Sequence, residues 1–321
     1  MSGESASYRQ RFLAVLDGRR PCLHDARSPA KLKVRLMLSV PEAPEVLGTA
    51  RTLLFTPADA PARLAKAFAS VADIVIADLE DAVAPSSKEA ARASLEQFAW
   101  PDRPGPLRGV RVNAPGTPEH AADLELVARI APDLIMVPKA SSAALRAGEW
   151  PAALMPIIET AEGVREAYDI ARCPGVALLL FGSIDLSTTL GVGDQVRDDA
   201  LLFARSSVVL DAAAAGLRPP MDGVHLGLGD PDALEEEAVR ARALGFGGKA
   251  CVHPDQLEIV ARCFAPRDTE VDWARRVVAA AGDAESQGRG ATVVDGALVD
   301  APVLARARAV LEHATRKSDQ T

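Results

Sequence analysis

The stretch Leu154–Asp185, LMPIIETAEGVREAYDIARCPGVALLLFGSID, decides how the chain folds. It opens on an apolar run, Leu154–Thr160, passes through Glu162–Ala171 with helical spacing, and closes on a second apolar run, Val176–Asp185. Continuous apolar runs of this length suit strands buried on both faces, as in a parallel sheet.

Outward from this unit the same alternation repeats. Upstream runs are Arg51–Pro57, Ala72–Asp81, Gly109–Asn113 and Asp133–Lys139; downstream runs are Pro219–Val224 and Gly248–His253. Helical spacing recurs at Lys88–Phe98, Glu119–Ile130, Asp199–Ala215 and Asp232–Leu244. Pro118, Pro231 and Pro254 sit where a helix opens and a missing N–H costs least. Gly216 and Gly245 fall where left-handed caps are expected. An open doubly wound sheet would give the same alternation, but eight strand–helix units over residues 51–265 favour a closed α/β barrel, the (β/α)8 or TIM barrel.

Residues 1–50 read as an N-terminal extension, with a helix at Ala6–Leu16 and a proline-punctuated stretch from Pro21 to Pro44. Residues 266–321 read as a C-terminal helical extension. It holds an amphipathic helix Val271–Ala281, a glycine-rich turn Gly282–Gly290, a strand-turn Thr292–Val299 and a last helix Pro302–His313.

The bulk numbers exclude several function classes. A net charge of −8 without blocks of like charge gives no grip on nucleic acid. No apolar run approaches the roughly 20 residues of a membrane span, and the N-terminus lacks a secretory pattern. Four dispersed cysteines without CxxC spacing read as reduced thiols, so a cytoplasmic protein without a zinc site is expected. With aromatic residues at only 4%, the core should be aliphatic.

In such a barrel the chemistry sits at the C-terminal ends of the strands. Those ends carry Asp78, Glu80 and Asp81 after strand two, Arg111 and Asn113 on strand three, and Lys139 after strand four. Glu159 follows strand five, Asp185 ends strand six, and Lys249 and His253 belong to strand eight. Acidic groups at buried strand ends are costly unless paired or bound to a cation. Glu159 and Asp185, on adjacent strands, are the expected pair of ligands for a divalent metal; two carboxylates leave room for the waters that magnesium retains. The competing reading has Glu159 capping the helix at Ala161 and Asp185 ordering the loop at Ser187. Arg111, flanked by Val110 and Val112, should point into the barrel, where a guanidinium can hold a carboxylate or an oxyanion. It should also pair with Glu80 or Asp81, which are equally candidates for ligation. Lys139 could form a Schiff base, though an ion pair with Glu159 or another rim acid is preferred. His253 either orders a helix start or serves as a base.

Seven motifs occur in fixed order: RTLLFTPADAPARLAKA (Arg51–Ala67), DIVIADLEDAVAP (Asp73–Pro85), RVN (Arg111–Asn113), PIIETAEGV (Pro156–Val164), FGSIDLSTTLG (Phe181–Gly191), GFGGKACVHPDQ (Gly245–Gln256) and DGALVDAPVLARA (Asp295–Ala307). Together they resemble the family of citrate lyase β-subunits and malyl-CoA and citramalyl-CoA lyases, over residues 50–315. The resemblance implies a Mg2+ ion held by Glu159 and Asp185, with Arg111 in the site and Glu80 and Asp81 supporting it. It implies that Asp300 completes the site of a neighbouring subunit in a homo-oligomer, a trimer or hexamer. Phe55, Pro57 and Lys66 would contact CoA. The implied partners are an acyl-CoA and a 2-oxo acid, and the implied reaction is cleavage of a 3-hydroxyacyl-CoA. A CoA-independent 2-oxo-acid aldolase, a condensing enzyme that releases CoA, and a β-subunit-like component of a citrate-lyase-type complex are the alternatives. The chain departs from the family pattern at Ala58, where many relatives have glycine, and at Ile184, where relatives often carry an acidic residue.

Overall fold

Eight parallel strands close into one barrel in the order in which they occur in the chain. They are β1 (Thr52–Pro57), β2 (Ile74–Asp78), β3 (Leu107–Arg111), β4 (Leu134–Val137), β5 (Ala153–Ile158), β6 (Leu180–Phe181), β7 (Met221–Asp222) and β8 (Gly248–Cys251). The computed structural model describes residues 47–101, 105–193 and 197–318. The helix and proline-punctuated stretch expected within residues 1–50 lie, up to residue 46, outside the described residues.

Closure is sealed where β8 pairs with β1, Thr52 opposite Lys249 and Leu54 opposite Cys251. Alternation along each strand separates two apolar layers. Leu53, Ile74, Ile76, Met136, Met155, Ile157 and Ala250 fill the barrel interior. Leu54, Val75, Ala77, Val110, Val137, Ile158 and Cys251 face outward, against the surrounding helices. At the N-terminal rim, Asp73 Oδ2 accepts the backbone N–H groups of Arg51 and Thr52 and the Thr52 hydroxyl, all within 2.9 Å.

The helices follow the expected punctuation. Pro118 and Pro231 occupy the first helical positions of Pro118–Ile130 and Pro231–Leu244, while Gly216 and Gly245 adopt φ of 75° and 100°. The helix expected at Glu162–Ala171 is divided at Glu166 into Ala161–Arg165 and Ala167–Ala171. Asp199–Ala215 likewise resolves into Arg197–Ala200 and Leu202–Ala214. The C-terminal segment differs more. Helix Asp268–Ser286 runs through Gly282, because the flanking alanines tolerate one helical glycine, and the chain turns only at Gln287–Gly288. An antiparallel hairpin, β9 (Thr292–Val294) and β10 (Ala297–Val299), then leads into helix Ala301–Ser318. The two helices and the hairpin share an apolar cluster of Ala274, Val277, Val294, Val299 and Ala307.

Strand eight corrects one expectation. Ala250 belongs to the interior, so Lys249 points outward into the layer between sheet and helices, away from the barrel mouth. There its Nζ lies 2.8 Å from Asp222 Oδ2 and 3.2 Å from Glu237 Oε2, and Arg205 Nη2 lies 3.0 Å from Asp222. His225 Nδ1 adds a contact to Glu237 at 3.0 Å. Burial opposes the Lys249 charge, but Asp222 and Glu237 outweigh it and hold its pKa above the ordinary value. Breaking a buried ionic cluster by removing one partner strands the others. Asp222→Ala is therefore expected to cost about 3–5 kcal/mol in urea unfolding; a loss within 0.5 kcal/mol, as for a surface substitution, would show that the cluster does not bear on stability.

Candidate active site

The C-terminal ends of the strands surround a cavity of about 400 Å³. Its walls include Phe55, Pro57, Asp78, Asp81, Arg111, Ile157, Glu159, Phe181, Asp185, Val224 and Leu226. Apolar walls with a few convergent polar groups are the usual composition of a small-molecule site.

Arg111 is the last residue of β3 and stands in register with Asp78, the last residue of β2. Both fall on the inward phase of their strands. The guanidinium reaches Asp78 with two hydrogen bonds, Nε to Oδ1 at 2.7 Å and Nη2 to Oδ2 at 2.5 Å. Its Nη1 lies 3.1 Å from Glu80 Oε2 and 3.8 Å from Asp81 Oδ2, and its central carbon sits 5.0 Å from the Phe55 ring centroid. Burial works against the charge, yet the three carboxylates more than offset it and raise the Arg111 pKa. The pairing expected with Glu80 or Asp81 is present, and Asp78 adds a closer one. The physical reason is register: Asp78 is directly opposite, whereas Glu80 and Asp81 lie beyond the strand end and the Asp81 side chain is 64% exposed.

Asp78 has a second task. Its Oδ1 accepts the Glu80 N–H at 2.8 Å and its Oδ2 the Ala82 N–H at 3.2 Å, which shapes the loop after β2. Lys88 clamps the same loop from below, its Nζ donating to Leu79 O and Glu80 O at 2.9 Å and to Asn113 Oδ1 at 2.6 Å. Asn113 in turn donates to Leu79 O and to the fully buried Asp123. The loop bearing Glu80 is therefore held from both sides.

Glu159 directly follows β5 and is 4% exposed. It does not cap the helix that begins at Ala161, because the Thr160 hydroxyl performs that role by accepting Gly163 N–H at 2.9 Å. The Glu159 carboxylate accepts the Lys139 N–H instead, at 2.7 Å. Burial, reinforced by the negative charges of Asp185 and Glu80 and opposed by Lys139, pushes its pKa up to about 7. Gly182 makes room for it: a Cβ there would fall 2.4 Å from Glu159 Cβ and 2.8 Å from Oε2.

Strand six is only two residues long, so Asp185 stands not at a strand end but in the first turn of helix Ser183–Leu190. The loop order expected of it comes from Ser187, whose hydroxyl donates to Ile184 O at 2.8 Å. Among the described residues the Asp185 carboxylate has no hydrogen-bond or ion-pair partner, and it faces the same cavity as Glu159. No group of three or more His, Cys, Asp or Glu side chains among the described residues is arranged around a metal position, so Glu159 and Asp185 stand as a pair.

Other expected site residues separate from this centre. Phe55 and Pro57 line the cavity, but Lys66 lies exposed on helix Pro61–Phe68 and is not part of its wall. Asp300 borders a different cavity, between helices Asp268–Ser286 and Ala301–Ser318, and its Oδ1 caps the last helix by accepting Val303 N–H at 3.2 Å. His253 caps the 3-10 turn Pro254–Gln256, its side chain accepting Asp255 N–H at 3.3 Å. Lys139 forms its ion pair with Glu80, Nζ to Oε1 at 3.0 Å. The residues whose roles had not been foreseen are Asp78, Lys88 and Gly182. Asp78 was legible from alternation, being in phase with the interior residues Ile74 and Ile76; Lys88 and Gly182 leave no comparable signal.

Residues 51–254 match the family described as HpcH/HpaI aldolase/citrate lyase. The chain belongs to this family. Its relatives include a citrate lyase subunit beta-like protein of Mycobacterium tuberculosis, 41% identical over 267 residues that cover 81% of this chain and 94% of the relative. They also include a (3S)-malyl-CoA thioesterase of Cereibacter sphaeroides, 38% identical over 275 residues, covering 82% of this chain and 94% of the relative. The crystal structure of CitE from Mycobacterium tuberculosis in complex with magnesium, acetoacetate and coenzyme A superposes with a TM-score of 0.72 at 38% identity, covering 83% of this chain and 98% of that one. As an HpcH/HpaI aldolase/citrate lyase family member, the protein is a lyase of the CoA-ester type, and its closed (β/α)8 barrel is that of its structural neighbours. No helix among the described residues is long and apolar enough to cross a membrane.

The tight packing of Gly182 on Glu159 gives a direct check of the site's construction. Gly182→Ala is expected to displace the Glu159 side chain and to cost about 1–3 kcal/mol of stability through overpacking, measured by urea denaturation; an unchanged midpoint would show that Glu159 does not depend on that space.

Proposed function

We propose that the protein is a magnesium-dependent carbon–carbon lyase that cleaves a 3-hydroxyacyl-CoA of the malyl-CoA or citramalyl-CoA kind. The products are an acyl-CoA and glyoxylate or pyruvate. The observation that carries this reading is the meeting, in one cavity, of a buried Arg111 held by Asp78 with the carboxylates of Glu159 and Asp185.

The donor set suits a hard divalent cation. Both candidate ligands offer only oxygen; Glu159 carries a burial penalty that a cation would relieve, and Asp185 has no partner among the described residues. Two carboxylates leave coordination positions for waters and substrate oxygens, which is how magnesium is usually held. Relatives crystallised with magnesium and pyruvate, and with oxaloacetate and magnesium, add weight to this assignment. When bound, magnesium would supply Lewis acidity toward the substrate's carboxylate and 3-hydroxyl oxygens.

The chain's own residues account for the rest. Arg111 is oriented by Asp78 before substrate arrives, so its remaining N–H groups can stabilise the 3-oxygen as its hydroxyl proton passes to solvent water, the C–C bond breaks and the oxygen becomes a carbonyl. The electron pair of that bond passes to the thioester as an enolate, which needs a proton. We assign that proton to Asp300 of a second copy in a homo-oligomer; in the single chain Asp300 serves as a helix cap remote from this cavity wall. Glu80 and Asp81 complete the charge around Arg111. Phe55 and Pro57 at the cavity and Lys66 at the outer face of the first helix are assigned to CoA, the lysine toward its phosphates.

A second reading, hydrolysis of the thioester, is favoured by the (3S)-malyl-CoA thioesterase relatives. A CoA-independent aldolase or a β-subunit-like component of a larger complex would share the barrel. The assay that separates these monitors 2-oxo acid and free thiol together, with malyl-CoA and citramalyl-CoA as substrates. Expected are magnesium-dependent release of glyoxylate or pyruvate, abolition by EDTA and by Glu159→Ala, and a fall in kcat of about 10²–10³-fold in Arg111→Lys. Free thiol without 2-oxo acid would move the assignment to a thioesterase, and no cleavage of either thioester would sink the lyase assignment.

A further inference from the structure

Lys139 is one of three described non-glycine residues with positive φ, at 46°. A left-handed backbone costs an L-residue roughly 1–2 kcal/mol, and it persists where the surroundings over-determine it. Here it sends the two ends of one residue in different directions. The Lys139 N–H donates to Glu159 Oε1 at 2.7 Å, and its Nζ donates to Glu80 Oε1 at 3.0 Å. The other Glu80 oxygen, Oε2, lies 3.1 Å from Arg111 Nη1 without hydrogen-bond geometry. Glu80 is only 6% exposed and shares Lys139 with Glu159, one carboxylate bound to the ammonium and the other to the backbone N–H. A buried carboxylate next to a divalent cation is a ready third ligand, and two bound oxygens from Glu80 would occupy positions that the substrate needs.

We propose that Lys139 is a positioning residue that keeps Glu80 off the metal: its ammonium, with Arg111, holds the Glu80 carboxylate away from the Glu159–Asp185 pair, so that the coordination sphere stays open to substrate. The proposal rests on the assignment of Glu159 and Asp185 as metal ligands. It has a consequence opposite to that of a merely structural lysine. Removing a cation beside a cation site, and freeing a carboxylate there, tightens metal binding while it closes the site to chelating ligands. An ordinary structural loss would weaken both.

The test uses the full-length protein, Mn2+ alone as the probe, and oxalate as a stand-in for a chelating 2-oxo acid. Mn2+ affinity is read by electron paramagnetic resonance, and exchangeable waters on the bound ion by water-proton relaxation. In Lys139→Met, Mn2+ is expected to bind about fivefold or more tightly, with fewer exchangeable waters and weaker oxalate binding. Lys139→Arg should stay near wild type, and the double variant Lys139→Met, Glu80→Gln should return toward wild-type Mn2+ affinity. Lys139→Gly, which relieves the backbone strain and also removes the ammonium, should match Lys139→Met in Mn2+ affinity while keeping or raising the melting temperature. Unchanged or weaker Mn2+ binding in Lys139→Met, with wild type binding normally, overturns the role of Lys139 alone. Failure of the wild-type protein to bind Mn2+ overturns the metal assignment itself.

Discussion

The ion pair between Arg111 and Asp78 is the constraint on which the rest of the site depends. Two unlike charges at the ends of neighbouring strands are brought opposite each other by the parallel register of β2 and β3, and the interior phase of both strands turns them into the barrel. Burying either alone would be costly; burying them with two well-aligned hydrogen bonds recovers much of that cost. The same carboxylate accepts two backbone N–H groups from the following loop, so the orientation of the arginine and the path of residues 79–82 are set by one side chain. What remains of the guanidinium is directed at Glu80 and the open cavity. An arginine fixed before substrate arrives need not reorganise when charge develops, which is the physical basis of electrostatic preorganisation.

The protein holds two ionic clusters of similar composition and different purpose. Asp222, Lys249 and Arg205 lie buried between sheet and helices, with the partly exposed Glu237 at their edge, and the charges of the four balance. At the mouth, the cations paired with Asp78, Glu80, Glu159 and Asp185 among the described residues are Arg111 and a half-exposed Lys139, leaving carboxylate in excess. That excess is what the proposed cation would neutralise. Burial first, and the neighbouring carboxylates after it, hold the Glu159 pKa above the ordinary carboxylate range although it accepts a backbone hydrogen bond.

Much of this was legible in the sequence, for identifiable reasons. Buried parallel strands announce themselves as short apolar runs, and alternation around Val110 and Val112 placed Arg111 inside the barrel. Proline and glycine marked helix ends at Pro118, Pro231, Gly216 and Gly245. Where the reading failed, a register or a boundary was at stake. Lys249 turned outward because Ala250, not its neighbours, took the inward phase of β8. Asp185 moved from strand to helix because the strand ends at Phe181 and, after Gly182 alone, the helix opens at Ser183. The expected pairing of Arg111 with Glu80 and Asp81 formed, but seeing that Asp78 would join it required knowing which residue is last in its strand. The roles of Lys88 and Gly182 arise from contacts between elements far apart in the chain, which no local pattern carries.

The central claim is that Glu159 and Asp185 hold a divalent metal to which Arg111 presents its free edge. A crystal grown with Mn2+ and pyruvate tests it most directly through anomalous scattering. The expected result is a manganese peak bridging the Glu159 and Asp185 carboxylates, with a pyruvate oxygen shared between the metal and the Arg111 guanidinium. A peak elsewhere, or pyruvate bound without reaching Arg111, would contradict it.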